Sequence, residues 1–475
     1  MKRRLVFGAA VSALVFGAAQ DAGAQGGGSG LPWANTGLGD RQVWLQNRQL
    51  LEGRGIRTGN FELHPGVGAD FGFDSNTFYT SSTLSNNIRP ALRLRVTPTF
   101  YVSTLGAQRA ANSDSPTTAL PTLNFRGGVG LVYNEWIGLQ SGISLGALRN
   151  LGAQGTLRFD FFPGRTWQFG VGADFVRLIQ PGGQDGYIGS PGTARGLNRN
   201  TLLGNVEIAY APGRGVFELR FGYNIQATLF DEIPGNNSLT HTGFARMRWR
   251  FLPKTALVWE GFISRVGYLN DPESYSGGLF SATPMTTRFG LAGLLTNRVS
   301  LTVLAGYAAT FYELGDNADT PIGQAEIQWI IDARSQLRGG FVRDVQQSYF
   351  GNYFIRNRGY ASYMQSFGGR FVLNVDAGVG LYQYGYLTHR RGDPRAGVAY
   401  ASPDIGGDFD PTTKRFNATR IDGTVFGEYR MNEIFGVNAT IRAETLISGF
   451  RTPPSGTQPI DWTRVEAMVG VRANW

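Results

Sequence analysis

Chemistry in a protein chain needs nucleophiles, general bases, metal ligands or clustered charge, and here only the last is plentiful. The 475 residues hold three histidines, His64, His241 and His389, far apart and without metal-ligand spacing, and no cysteine. Disulfides and thiolate metal sites are therefore excluded. No serine or paired carboxylate joins His64 in a nucleophile constellation. Asp404, Asp408 and Asp410 crowd one segment, but their spacing fits no calcium loop. The sequence thus leads us to expect no enzyme, no cofactor and no metal.

What remains is arginine. The chain carries 44 basic against 35 acidic residues, a net charge of +9, and only Lys2, Lys254 and Lys414 are lysines. Many of the arginines fall on alternate positions, as in Arg89, Arg93 and Arg95, or Arg246, Arg248 and Arg250. Arg288, Arg338, Arg420 and Arg442 sit in similar settings. Acids share the same parity, among them Asp70, Asp74, Glu207, Glu218, Glu260, Glu428, Glu444 and Glu466. Such a set has two uses: cross-strand ion pairs that brace a wall, or a positive surface that draws anionic or hydroxyl-rich solutes and binds them with fork-shaped hydrogen bonds. Both stay open at this point. We take the ten arginines just named as lining a solute path.

The elements that position them are strands. From Asn60 onward, apolar and polar residues alternate with period two, the pattern of a strand with one face in an apolar phase. Phe61, Leu63, Val67, Ala69, Phe71 and Phe73 form one face of the first strand; Glu62, His64, Asp70 and Asp74 lie on the other. The same pattern recurs to the last residues, where Val465, Val469 and Val471 alternate with Arg464, Glu466 and Arg472. Tight turns are expected at 97–99, 134–135, 163–165, 212–214, 253–255, 297–298, 333–334, 368–369 and 432–433. Longer polar loops fall between them, for example 179–199, 267–284, 385–414 and 447–461. Short turns at one end and long loops at the other, with no run of apolar residues long enough for a transmembrane helix, predict an all-β, transmembrane, antiparallel up-and-down barrel of about 20 strands, with 18 to 22 admitted.

The start of the chain supports export from the cytoplasm. Lys2, Arg3 and Arg4, the apolar stretch 5–19 and Ala22-Gly23-Ala24 read as a signal peptide over 1–24. Residues 25–59 are expected to form a periplasmic segment with one short helix from Asp40 to Gly53, and 60–475 the barrel. Only 17% of residues are charged, whereas 13% are aromatic. Low charge fits a wall that meets lipid on one face, with charge confined to lumen and loops. Tyr133, Trp136, Trp167, Tyr210, Trp249, Trp259, Trp329, Tyr363 and Tyr429 are expected to form an interfacial girdle near the tight turns. The final strand ends on Trp475, which resembles the aromatic terminus recognised by the barrel-assembly machinery. The expected location is the bacterial outer membrane, with membrane lipid as the surrounding partner. Basic charge inside a secreted barrel does not point to nucleic acid.

The first strand reads Arg57-x-Gly59-x-Phe61-x-Leu63-x-Pro65, followed by Gly72-Phe73-Asp74-Ser75-Asn76. This resembles the opening of an outer-membrane β-barrel porin family associated with polysaccharide export machinery. The resemblance implies an outer-membrane pore that passes polysaccharide with the help of a periplasmic export protein, and it carries over no catalytic residue. The alternative is a general or anion-preferring diffusion porin for small anionic solutes, with 385–414 as a loop that narrows the lumen.

Overall fold

The computed structural model describes residues 55–475 apart from 82–87, 105–121, 140–144, 146–149, 179–197, 214–215, 232–233, 271–279, 316, 349–351, 386–415, 450, 453–457 and 460. The signal peptide, the helix expected at 40–53, the three aspartates at 404–410 and nearly all of the loop 385–414 lie outside the described residues.

The described chain is almost entirely strand. A short β1 (Ile56–Thr58) precedes β2 (Phe61–Asp74), β3 (Ala91–Thr104), β4 (Leu123–Gly138), β5 (Asn150–Phe161) and β6 (Trp167–Leu178). Next come β7 (Arg199–Tyr210), β8 (Phe217–Phe230), β9 (Ser238–Leu252), β10 (Thr255–Tyr268), β11 (Ala282–Leu294) and β12 (Val299–Tyr312). The series continues with β13 (Ala318–Ile330), β14 (Ser335–Gln347), β15 (Tyr353–Phe367), β16 (Phe371–Tyr384), β17 (Phe416–Arg430) and β18 (Phe435–Ile447). A two-residue pair, β19 (Arg451–Thr452) and β20 (Gln458–Pro459), lies before the last strand, β21 (Trp462–Asn474).

Each long strand pairs antiparallel with its sequence neighbour, and β2 pairs with β21, from Gly66 opposite Asn474 to Asp74 opposite Glu466. The result is a closed 18-stranded barrel with β1 added to the lower end of β2. Closure is what hydrocarbon demands, because each unpaired backbone group there costs several kcal/mol.

The count is 18 rather than 20 because two expected turns are strand. Pro98 belongs to an expected turn, yet β3 runs straight through it. Its side chain points outward, and the ladder to β4 steps from Val96 opposite Tyr133 to Thr99 opposite Gly130, so no partner there needs the missing N–H. Asn134 likewise sits within β4 and faces inward. The connection at that end of β3 is instead the stretch 105–122. Tyr133 and Trp136 also leave the expected girdle at the tight-turn end: Tyr133 faces outward high on β4, and Trp136 is buried on the inner face, beneath the guanidinium of Arg93 at 4.6 Å.

The remaining tight turns stand, each with local chemistry that favours it. Asn432 Oδ1 accepts hydrogen bonds from the amides of Ile434 and Phe435, and Thr296 Oγ1 accepts them from Arg298 and Val299. Gly368 and Gly369, at φ of 58° and 71°, occupy the left-handed region that turns β15 into β16.

Outward residues form the lipid belt. Phe289 is 51% exposed and Val469 61%, an inversion of the soluble pattern that only an apolar surround makes favourable. At its lower edge Trp167 and Tyr210 pack ring to ring at 4.7 Å, with Trp249, Trp329 and Tyr429 at comparable height. This belt on a closed barrel makes the chain an integral protein of the bacterial outer membrane.

Candidate functional site

The inner face is where chemistry can occur, and its ion pairs differ in exposure from strand to strand. Around the β2–β21 junction the charge is buried. Arg464, 2% exposed, donates from Nε to both oxygens of Asp74 at 3.0 Å and from Nη2 to Glu466 at 2.7 Å. The ring of Tyr79, brought inward by the β2–β3 connection, lies under the same guanidinium at 4.7 Å and packs edge-on against Trp462. Tyr384, Phe416, Ala418 and Leu446 complete a buried cluster with Phe354 and Tyr382 against it. This part of the mouth is filled by side chains.

On β5 to β9 the paired charges are more exposed. Arg158 is 38% exposed and binds Asp160 at 2.9 Å as well as Glu207. Arg220 binds Glu207 at 3.1 Å and also Glu218, which accepts a further hydrogen bond from Arg248 at 2.7 Å. This wall therefore carries more exposed ion pairs than the β2–β21 junction.

The structure separates the ten arginines by role. Six hold carboxylates: Arg93 with Glu466 at 3.8 Å, Arg95 with Asp70 at 3.4 Å, Arg248 with Glu218, Arg288 with Glu260, and both Arg420 and Arg442 with Glu444. Five of these pairs brace strand to strand, and that of Arg442 with Glu444 lies within β18. Arg250 lies on the inner face near the lower end of β9. Arg89 is not on a strand: Pro90 offers no N–H to the ladder, so β3 begins at Ala91 and Arg89 stays in the connection above it.

Two of the ten stand apart. Neither Arg246 nor Arg338 has a hydrogen bond or ion pair among the described residues. Arg246 lies opposite Glu260 across the β9–β10 ladder, but Glu260 is taken by Arg288 from the other side. Its Nε has no hydrogen-bond partner, and the guanidinium stacks near Phe244 at 5.0 Å and Phe262 at 5.3 Å. The row Arg220, Arg246, Glu260, Arg288 thus carries more positive than negative charge, with Arg246 as the unbalanced member.

Phe244 and Phe262 were not foreseen as part of the inner wall. The only signal in the sequence is parity, and it is clear for Phe244 alone, since β9 otherwise places polar residues on that face whereas β10 also carries Ala256, Val258 and Val266 there. Phe244 can lie flat because Gly222 faces it across the β8–β9 ladder; a Cβ at 222 would stand 2.3 Å from its Cζ.

No family model matches the chain, and no curated protein matches it either. Solved structures of similar shape do exist. OccAB4 of Acinetobacter baumannii aligns at 9% identity with a TM-score of 0.44, covering 87% of this chain and 98% of that one. The outer-membrane protein OpdK of Pseudomonas aeruginosa gives 10% and 0.42, covering 87% and 99%. The FrpB iron transporter of Neisseria meningitidis gives 8% and 0.43, covering 89% and 82%.

Proposed function

We propose that this chain is a diffusion channel of the outer membrane that favours small anionic solutes, and not an enzyme. The observation that carries the reading is Arg246, a half-buried guanidinium on the inner wall whose opposing carboxylate is already engaged by Arg288. A cation without an ion pair in a channel raises the local concentration of anions, and its terminal N–H groups can form replaceable bonds with a carboxylate or phosphate. Arg338 on β14, opposite Gln328 and Ser362, is a second arginine without an ion pair among the described residues. The polysaccharide-export role implied by the opening motif, with its periplasmic partner, gains no comparable support from the inner wall, where most of the arginines are spent on bracing.

Planar-bilayer recordings of the purified protein under a salt gradient test the reading. Steady conductance with a reversal potential on the anion side is expected. A silent barrel, together with loss of surface polysaccharide when the gene is deleted, would favour the export role instead.

A further inference from the structure

The ladder between β13 and β14 stops short. It runs upward from Ile330 opposite Gln336 to Gly323 opposite Arg343. Yet β13 continues to Ala318 and β14 to Gln347, each still paired with its other neighbour. Residues 318–322 and 344–347 therefore adjoin without a ladder. At a rise of about 3.4 Å per residue and a tilt of about 40°, each residue climbs about 2.6 Å. The break then extends from about 18 to about 31 Å above the lower end of β13, across the outer edge of an apolar band about 25 Å tall.

Side chains close this stretch by overlap of two hairpin ends. Tyr312 and Ala318, which have inner-face parity on β12 and β13, pack on Val345, Tyr353 and Ile355, which have outer-face parity on β14 and β15. Tyr312 stacks on Tyr353 at 6.1 Å and donates from its hydroxyl to the carbonyl of Asn352 at 3.0 Å. Arg343 crosses the break: Nε donates to the carbonyl of Pro321 at 2.9 Å, Nη2 to Thr320 Oγ1 at 2.8 Å and Nη1 to Asn357 Oδ1 at 2.6 Å. Pro321 has no N–H to give a ladder, which helps to set the break here. Asp319, the acid on the outer face of β13, is bound by the Tyr307 hydroxyl of β12 at 2.9 Å.

A wall held by a ladder opens only by unzipping, whereas one held by overlapping side chains opens when two hairpin ends part. Parting these ends would expose an apolar slot of Tyr312, Val345, Tyr353 and Ile355 with one guanidinium, Arg343. A hydrocarbon tail fits the apolar lining, and an anionic head replaces the three neutral acceptors of Arg343 with a stronger one. We propose that the upper β13–β14 seam is a lateral portal through which a single-chain anionic amphiphile passes between the barrel interior and the outer leaflet.

The absence of cysteine allows a direct test. Ala318→Cys with Val345→Cys is folded first, checked for the heat-modifiable gel shift of an intact barrel, and then joined by a short bifunctional thiol reagent. Photoactivatable palmitate in lipid vesicles is the probe, with adducts mapped by peptide mass. Adducts should concentrate at Tyr312, Val345, Tyr353 and Ile355 and vanish on cross-linking, while ion conductance is retained. In the uncross-linked protein, Arg343→Gln should lower palmitate labelling about ten-fold and leave labelling by the uncharged long-chain alcohol unchanged. Labelling spread evenly round the belt, or seam labelling that survives the cross-link, overturns the proposal. Because conductance is read separately, failure here leaves the anion-channel reading untouched, and the reverse holds.

Discussion

Arg464 of β21 grips Asp74 of β2 with Nε 3.0 Å from each carboxylate oxygen and Nη2 at 2.5 Å, across the junction that closes the barrel. Both groups are out of contact with water. Removing one partner of such a pair strands a buried charge, a loss of about 3–5 kcal/mol. Arg464→Ala should therefore lower the midpoint of urea unfolding in detergent and weaken the heat-modifiable band. Arg248→Ala, at a partly exposed pair, should cost less, about 1 kcal/mol. Equal losses would contradict the difference in burial between the two pairs.

Arg246 is expected to set ion preference. A unit charge about 7 Å from a passing ion in a water-like medium contributes about 0.6 kcal/mol, a factor of about three in local anion concentration. Arg246→Gln should move the reversal potential toward zero by that order, and Arg246→Glu should carry it further, most visibly at low salt. Arg93→Gln, at a buried pair, should leave selectivity alone. If the Arg93 change moved the reversal potential as far as the Arg246 change, the assignment would be wrong.

Gly222 is expected to tolerate no side chain. A Cβ there would meet Phe244 Cζ at 2.3 Å and the carbonyl of Val206 at 2.7 Å. Gly222→Val should cost about 1–3 kcal/mol through overpacking. It should also tip the Phe244 ring off the wall and reduce single-channel conductance. The double variant Gly222→Val with Phe244→Ala should recover conductance, because the displaced ring is then gone.

Asp332 offers a pH test outside the membrane. It lies in the turn between β13 and β14, where its Oδ1 accepts the amide of Arg334 at 2.7 Å. That amide first, and then the Ser335 hydroxyl, hold its carboxyl below the usual value of 3.8. A lowered folded value means that the turn's contribution is present above the unfolded value and is lost as pH falls through the folded one. Carboxyl carbon shifts of labelled protein in micelles should show Asp332 titrating below pH 3.8. Asp332→Asn, whose amide oxygen still accepts, should change stability little at neutral pH.

Much of this architecture was legible in the strand alternation, because a two-residue period assigns each side chain to lumen or lipid whatever its partners are. Arg246, Arg288 and Arg442 could be placed inside on that basis alone. Single residues misled where they have two uses. Asn134 favours turns, but here its Oδ1 accepts the Nε of Arg93 at 3.0 Å; Pro98 breaks ladders, but here it meets a strand that needs no bond from it. Which arginines brace and which remain available was beyond a one-dimensional reading. Arg246 lacks a carboxylate only because Arg288, on the far side of β10, reaches Glu260 first, and that contest involves three strands. The filled mouth depends on Tyr79, which leaves the β2–β3 connection at φ 54° to reach Trp462, a contact with no periodic signature.

The β2–β21 junction also bears on how the barrel forms in time. Every other long-strand pair joins sequence neighbours, so hairpins can add one after another with little loop entropy at each step. Arg464 and Asp74, by contrast, are 390 residues apart. Closing a flexible chain of that length costs about 5 kcal/mol more than the length-independent part. A curled, open-edged sheet should therefore accumulate before the ends meet, and the last step should be the slow one. Substitutions at Asp74 or Arg464 should then retard assembly, whereas equally destabilising changes in a mid-chain hairpin should act on unfolding instead.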